Sequence, residues 1–300
     1  MLPLPDDVAS VLPDLIDRAL AEDVGLGDVT TEATIPEGTR ASARFLLKEE
    51  GVVAGLAVAE RVFASVDSRL AVSWTAEDGQ PLASRTVFGS VEGPARPLLV
   101  GERLALNLMQ RMGGIATLAS RFAAAAAPAV VLDTRKTAPG LRHLDKWAVR
   151  LGGAQNHRTG LFDMILVKDN HIAAAGGIRA AVSAVGAYLA QHDLDLPVEV
   201  EARTLDEVDA LLAAVAEGQR VDRVLLDNMA RPTASGLDVS MLEEAVRRVA
   251  GRIQTEASGN VTLDTVGRIG QTGVDFVSSG ALTHSVPALD VSLKVGLDLT

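Results

Sequence analysis

The sequence predicts an α/β protein in which parallel strands alternate with helices, preceded by a smaller α+β domain. Three observations carry this. From Val130 onward, six apolar runs at 130–133, 163–167, 197–201, 222–227, 252–257 and 274–278 alternate with stretches of helical periodicity. Each run ends in polar or charged residues. The residues before Gly113 show alternating strand patterns of another kind.

The chain opens with a helical pattern over 7–21, followed by an Asp28-Val-Thr-Thr turn. Segments at 41–47, 70–75 and 86–92 alternate apolar with polar residues, and Asp78-Gly79 turns between two of them, which reads as an antiparallel sheet. Pro94 and Pro97 precede a helix over 98–112, and Gly113-Gly114 is expected to break it. Helical faces then separate the strand runs. They comprise Leu144, Trp147 and Leu151, then Val182, Val185 and Leu189, then Val208, Leu211 and Val215, then Leu242, Val246 and Val249, and last Leu263, Val266 and Ile269.

Composition narrows the function. Three hundred residues, 48% apolar and 22% charged, suffice for a barrel-sized domain plus a smaller one. The absence of cysteine excludes disulfides, thiolate metal sites and cysteine nucleophiles. A net charge of −11 argues against broad electrostatic binding to nucleic acid. The first residues lack the basic start and apolar run of a signal peptide, and the alanine-rich run 122–132 is too short to span a bilayer. The expectation is a cytoplasmic protein with no nucleic-acid or membrane partner.

Against that acidic background, residues 133–171 hold seven Lys/Arg and four Asp, with three of the five histidines. Cations gathered in one place of an acidic chain hold an anion there. The strand runs end in Arg135-Lys136, Lys168-Asp169, Glu199-Val-Glu201, Asp227-Asn228, Ser258-Gly259 and Ser279-Gly280, the positions where α/β folds put their ligands. Residues of all six strands converge if the sheet closes into a barrel. Periodicity alone counts six strands instead of eight and does not decide closure. Arg135, His157, Arg158 and Lys168 suit a carboxylate clamp, with a solvated basic face as the alternative. Two Ser-Gly turns at successive strand ends suit a phosphate. Glu201 and Asp227 suit sugar hydroxyls or hydrated Mg²⁺, the alternative being structural ion pairs with nearby arginines.

These residues belong to a longer set. It includes Glu-Asp-Val-Gly-Leu-Gly-Asp-Val-Thr-Thr (22–31), Glu102-Arg103, Gly114-Ile-Ala-Thr117 and Asp133-Thr-Arg-Lys-Thr137. It continues with Asn156-His-Arg158, Lys168-Asp-Asn-His171, Glu199-Val-Glu201, Leu226-Asp-Asn228, Glu256-Ala-Ser-Gly259 and Ser279-Gly-Ala281. In nearly its full length and in order, the chain resembles the quinolinate phosphoribosyltransferases. The resemblance implies an incomplete α/β barrel of the six-stranded type, over 113–286, and a small N-terminal α+β domain over 1–112 that residues 287–300 rejoin. It implies joining quinolinate to phosphoribosyl pyrophosphate with loss of CO₂, a requirement for Mg²⁺, and a homodimer or homohexamer. By matched position, Arg135, His157, Arg158 and Lys168 would bind the quinolinate carboxylates, with Arg103 donated across the interface. Lys136 would meet phosphate oxygens. Glu201 and Asp227 would hold the ribose and the metal-bound water, and Ser258, Gly259, Ser279 and Gly280 would cradle phosphate.

Two other readings stand beside it. A paralogue associated with molybdate-transport gene clusters shares the fold and much of the phosphate machinery. A barrel with Lys168 at a strand end also suits a Schiff-base aldolase, although that leaves the cationic clamp unexplained.

Overall fold

The computed structural model describes residues 3–234 and 236–298; residues 1, 2, 235, 299 and 300, which the sequence reading assigns to its two domains, lie outside them. The chain divides into two compact units. One takes in residues 3–120, 137–153 and 282–298, the other 121–136 and 154–281.

The first unit is built on a four-stranded antiparallel sheet of β1 (Arg40–Leu47), β2 (Ala71–Trp74), β3 (Val87–Pro94) and β10 (Val291–Asp298), in the order β10-β1-β3-β2. Strand β1 alternates exposed and buried residues along most of its length, so Ala41, Ala43, Phe45 and Leu47 form one apolar face. Phe45 lies 4.7 Å from the Trp74 ring and 6.2 Å from Phe63 of the helix Leu56–Val66. The Asp78 carboxylate is buried and caps that helix, accepting from the amides of Leu56 (2.9 Å) and Ala57 (3.3 Å). At 28–31 the expected turn is a helix start: Asp28 accepts from the Thr31 amide at 3.0 Å and begins the helix Val29–Thr34.

Gly113-Gly114 does not break its helix, which runs without interruption over Ala95–Ala126. Tertiary packing selects these glycines. A Cβ on Gly114 would stand 2.1 Å from the Pro287 carbonyl oxygen, and one on Gly113 would stand 2.8 Å from Leu289. From the same helix, Arg111 grips the fully buried Asp145 with two parallel bonds of 2.8 and 2.7 Å. Asp145 belongs to the helix Arg142–Leu151, whose Leu144, Trp147 and Ala148 are buried.

The second unit is a six-stranded, all-parallel sheet. Its strands are β4 (Val130–Leu132), β5 (Ile165–Val167), β6 (Val198–Ala202), β7 (Arg223–Asp227), β8 (Gln254–Ser258) and β9 (Phe276–Ser278), ordered β4-β9-β8-β7-β6-β5. From β5 onward each strand lies beside its successor in the chain, and the last, β9, pairs with the first, β4. The two edge strands of this order, β4 and β5, are the first two in the chain, an arrangement that suits an incomplete barrel. The ladder stays open between β4 and β5, where Leu132 makes an isolated parallel bridge to Gln155. All five residues of β6 are buried, as befits a strand covered on both faces. A short hairpin, Arg231–Thr233 with Gly236–Asp238, is an addition the strand count did not contain.

The close approach at Gly114 generates a test. Gly114→Ala is expected to destabilise the protein by about 1–3 kcal/mol through overpacking against Pro287. Chemical denaturation of the two proteins side by side measures it.

Candidate active site

Polar side chains at the C-terminal ends of the parallel strands enclose a cavity of about 570 Å³ within the second unit. It brings together Arg135, Lys136, His157, Arg158, Lys168, Glu201, Asp227 and Ser258 of the residues expected from the sequence. Alternation along β6 explains part of this: Glu199 and Glu201 share a face. Register explains more, because Ser258 pairs with Asp227 across adjacent strands.

The cationic wall starts where β4 ends. Lys136 donates its amide to the Thr134 hydroxyl at 3.0 Å, and Arg135 Nε is buried without a hydrogen-bond partner. Arg158 is half-buried and donates to the Met164 carbonyl at 3.3 Å. Burial first, and then the like charge of Arg135, lowers its pKa. Two guanidiniums held close, one with an unsatisfied N–H, form a receptor for an anion. Lys168 begins the helix Asp169–Ala175, its amide donating to His171 Nδ1 at 2.9 Å.

His157 stands differently. Nε2 lies 2.9 Å from Glu199 and 3.5 Å from Glu256, while Nδ1 accepts from the Arg158 amide at 2.7 Å. Both ring nitrogens have partners inside the protein, and the residue also lines the cavity. Burial disfavours the imidazolium, but hydrogen bonds donated to Glu199 and Glu256 outweigh it and draw the pKa from 6.5 to about 9.

The acidic edge holds Glu201 and Asp227. Burial, then the charges of Asp227 and Asp169, raise the Glu201 pKa. Arg203, which the sequence reading passed over, supplies their counter-charge: Nε lies 3.6 Å from Glu201 and 3.5 Å from Asp227, and Nη1 lies 2.8 Å from Asp169. The period-two signal was available, since Arg203 follows Glu201 by two residues. Its orientation also depends on a capping box, in which Glu207 accepts from the amides of Arg203 (2.6 Å) and Thr204 (3.2 Å). Asn228 steadies Asp227, donating to its carboxylate at 2.6 Å.

Gly259 has φ +98°, and a Cβ there would come within 2.3 Å of the Asn228 side chain, so glycine is required twice over. The second expected turn is arranged otherwise. Ser279 is buried, donates its hydroxyl to the Val261 carbonyl at 2.9 Å and its amide to Leu132 at 3.1 Å. Its neighbour Ser278 lines the cavity instead, because successive side chains take opposite faces. Neither Ser279 nor Gly280 is part of the cavity wall, and neither is Arg103, which stands exposed on the helix Ala95–Ala126 of the first unit.

Residues 28–113 match the N-terminal domain of quinolinate phosphoribosyl transferase, and residues 115–294 match its C-terminal domain. A Nicotiana tabacum protein named quinolinate phosphoribosyltransferase (decarboxylating) 1b is 54% identical over 291 residues, covering 96% of this chain and 83% of its own. A chloroplastic nicotinate-nucleotide pyrophosphorylase (carboxylating) from Arabidopsis thaliana is 55% identical over the same length, covering 96% of this chain and 84% of its own. Among solved structures, NadC from Streptococcus pyogenes superposes with a TM-score of 0.88 at 37% identity, covering 99% of both chains. Fold, cavity and these matches define an α/β-barrel transferase acting on anionic small molecules. The chain belongs to the quinolinate phosphoribosyltransferase family.

The electrostatics of the acidic edge give a prediction that needs no substrate. Asp227→Asn removes one of the negative charges that raise Glu201, so the Glu201 carboxyl should titrate at lower pH in the variant. Carbon-detected NMR of the carboxyl resonances reads the shift. An unchanged midpoint would show that burial and Asp169, without Asp227, set it.

Proposed function

We propose that this cavity joins quinolinate to phosphoribosyl pyrophosphate, releasing pyrophosphate and CO₂ and leaving nicotinate mononucleotide. The observation that carries the reading is one cavity holding Arg135, Arg158 and Lys168 together with Glu201 and Asp227. Two substrates of like charge need cations to bring them together, and a cationic transition state needs carboxylates near it.

The pyridine nitrogen attacks the anomeric carbon as its bond to the pyrophosphate oxygen breaks, the electron pair leaving with pyrophosphate. Glu201 and Asp227 stabilise the positive charge that develops at the ribose and accept from its hydroxyls. Lys136 meets phosphate oxygens. Ser258 and Gly259 cradle phosphate, Gly259 by letting the main chain approach closely. The alkylated ring then loses the carboxylate beside its nitrogen as CO₂. The electron pair left on that ring carbon is stabilised by the cationic nitrogen and takes up a proton. Arg135, Arg158 and Lys168 hold the dicarboxylate in register throughout.

We assign a Mg²⁺ requirement to the same reaction. Glu201, Asp227 and Asp169 offer hard oxygen donors on one side of the cavity, and their mutual repulsion raises Glu201, so the donor set fits a hydrated divalent cation. Bound there, Mg²⁺ would neutralise charge on the departing pyrophosphate. The working form in this reading is a homodimer or homohexamer in which Arg103 of a neighbouring subunit joins the clamp. The exposure of Arg103, and of Leu161 and Phe162 close in sequence to Arg158, supports it.

Incubation with quinolinate, phosphoribosyl pyrophosphate and Mg²⁺, following nicotinate mononucleotide and CO₂ together, tests the function directly. Nicotinate as a parallel substrate should give little product. Absence of both products from quinolinate with folded protein overturns the reading. Arg135→Ala should lower kcat/KM for quinolinate by on the order of a hundredfold or more, the usual loss when a buried charge pair is cut. Its melting temperature should stay near that of the parent. Gly259→Ala should raise KM for phosphoribosyl pyrophosphate and leave KM for quinolinate nearly unchanged, as steady-state kinetics with each substrate varied would show.

A further inference from the structure

Two residues of left-handed backbone lie beside the acidic edge of the cavity, and the reaction as described uses neither. Asn228 follows β7 at φ +56°, and Asn260 follows the Ser258-Gly259 turn after β8 at φ +52°. The two strands are adjacent and in register, since Ser258 pairs with Asp227. The Asn228 amide donates to the Ser258 carbonyl at 2.9 Å, so the bonding between them continues one step past Asp227. Asn228 is not part of the cavity wall, whereas Asp227 and Ser258 are.

The Asn228 side chain joins the two strand ends. Its Nδ2 donates to Asp227 Oδ2 at 2.6 Å, and its Oδ1 accepts from Asn260 Nδ2 at 3.3 Å. Chemistry fixes this orientation. A carboxylate only accepts, so the Asn228 atom that meets Asp227 is the amide nitrogen, and the oxygen is turned to the 258–260 segment. That oxygen packs against Gly259: a Cβ there would stand 2.3 Å from it and 2.7 Å from Asn228 Cγ. The space that a side chain at 259 would need is the space that Asn228 fills.

Asp227 is thereby held at one oxygen. Asn228 meets Oδ2, as does Arg203 at 3.5 Å, while Oδ1 accepts a hydrogen bond from none of the described residues. Glycine meets a positive φ more easily than asparagine, so the backbone does not by itself call for an amide at 228.

We propose that Asn228 is a positioning residue that couples the phosphate-binding turn to the ribose-binding carboxylate, one amide orienting Asp227 and bracing the 258–260 segment. The assignment rests on the reading of the cavity as a phosphoribosyl pyrophosphate site and deepens it. The phosphate and the ribose of one molecule are joined at a set distance, so their receptors must be held at a matching one. Adjacent strands fix the two main chains. Asn228 fixes a side chain of one against the turn of the other. It makes no hydrogen bond to Arg135, Arg158 or Lys168, so the quinolinate clamp lies outside this coupling.

Titration calorimetry of phosphoribosyl pyrophosphate with Mg²⁺, in the absence of quinolinate, reads the coupling apart from turnover. Asn228→Gly keeps the positive φ and the main-chain bond to Ser258, and removes both side-chain bonds. It should weaken phosphoribosyl pyrophosphate binding about tenfold, the scale of one hydrogen bond to a charged group. Its KM for quinolinate should be nearly unchanged, and its melting temperature should stay near that of the parent. Asn228→Asp keeps the shape and the acceptor for Asn260 but turns a second carboxylate toward Asp227. It should weaken binding at least as much.

Asn228→Gly binding as tightly as the parent would make the residue a turn former only and would overturn the proposal. So would parent-like binding by Asn228→Asp, which decides the matter even where the glycine variant folds poorly. A KM for quinolinate that rises in step with the lost affinity marks a general disturbance of the fold and overturns it too. Parent protein that binds no phosphoribosyl pyrophosphate would instead remove the function reading, and this inference with it.

Discussion

The second unit depends on how it keeps carboxylates inside a parallel sheet. Glu199, Glu256 and Asp133 are removed from water almost completely. An unpaired buried charge costs several kcal/mol after relaxation, so each of these must be answered nearby. Arg223 answers Glu256, the His157 ring answers Glu199, and the amides of the 156–158 loop answer Asp133. That loop is therefore fixed from below by three acids on different strands. The cationic wall above exists because its foundation is anionic: Arg135 and Arg158 repel one another, and negative charge behind them makes their proximity tolerable.

The same logic runs in reverse at the acidic edge. Glu201, Asp227 and Asp169 repel one another, and Arg203 lies among them at the rim, half-exposed and thus movable. One cavity therefore has a rigid pole and an adjustable one. The rigid pole rests on buried charge pairs, whose geometry is set by adjacent strands. The adjustable pole rests on a solvated arginine, whose ion pairs are individually weak. A pole that must receive substrates of one fixed shape is well served by the first. A pole that exchanges its counter-charge during a reaction cycle is well served by the second.

Much of this was legible in the sequence because it follows local rules. The six parallel strands, their polar ends and the cation-rich segment from Asp133 to His171 show as periodicity and composition, and eight of the expected site residues line a single cavity. What escaped was long-range. Gly113-Gly114 reads locally as a helix breaker, and only the chain near Pro287 explains why glycine sits in an unbroken helix. The pairing of β9 with β4 joins strands far apart in sequence, which no local pattern encodes. Ser278 and Ser279 were not told apart, since the register of a three-residue strand has too little pattern to fix its faces. The partnership of His157 with Glu199 and Glu256 joins a loop to two strands that lie far apart in sequence, and spacing alone could not suggest it.

The antiparallel sheet of the first unit has an implication for the order in which the protein is made. Strand β10, the last of the described chain, pairs along the whole of β1, from Leu47 with Val291 to Arg40 with Asp298. A ribosome releases β1 long before β10. Until β10 emerges, β1 keeps an unpaired edge of backbone donors and acceptors, a template for aggregation that nascent chains must survive. The parallel sheet draws all its strands from Val130 to Ser278, and so can complete its hydrogen bonding earlier. The small sheet therefore closes after the parallel one and is the more in need of protection during synthesis.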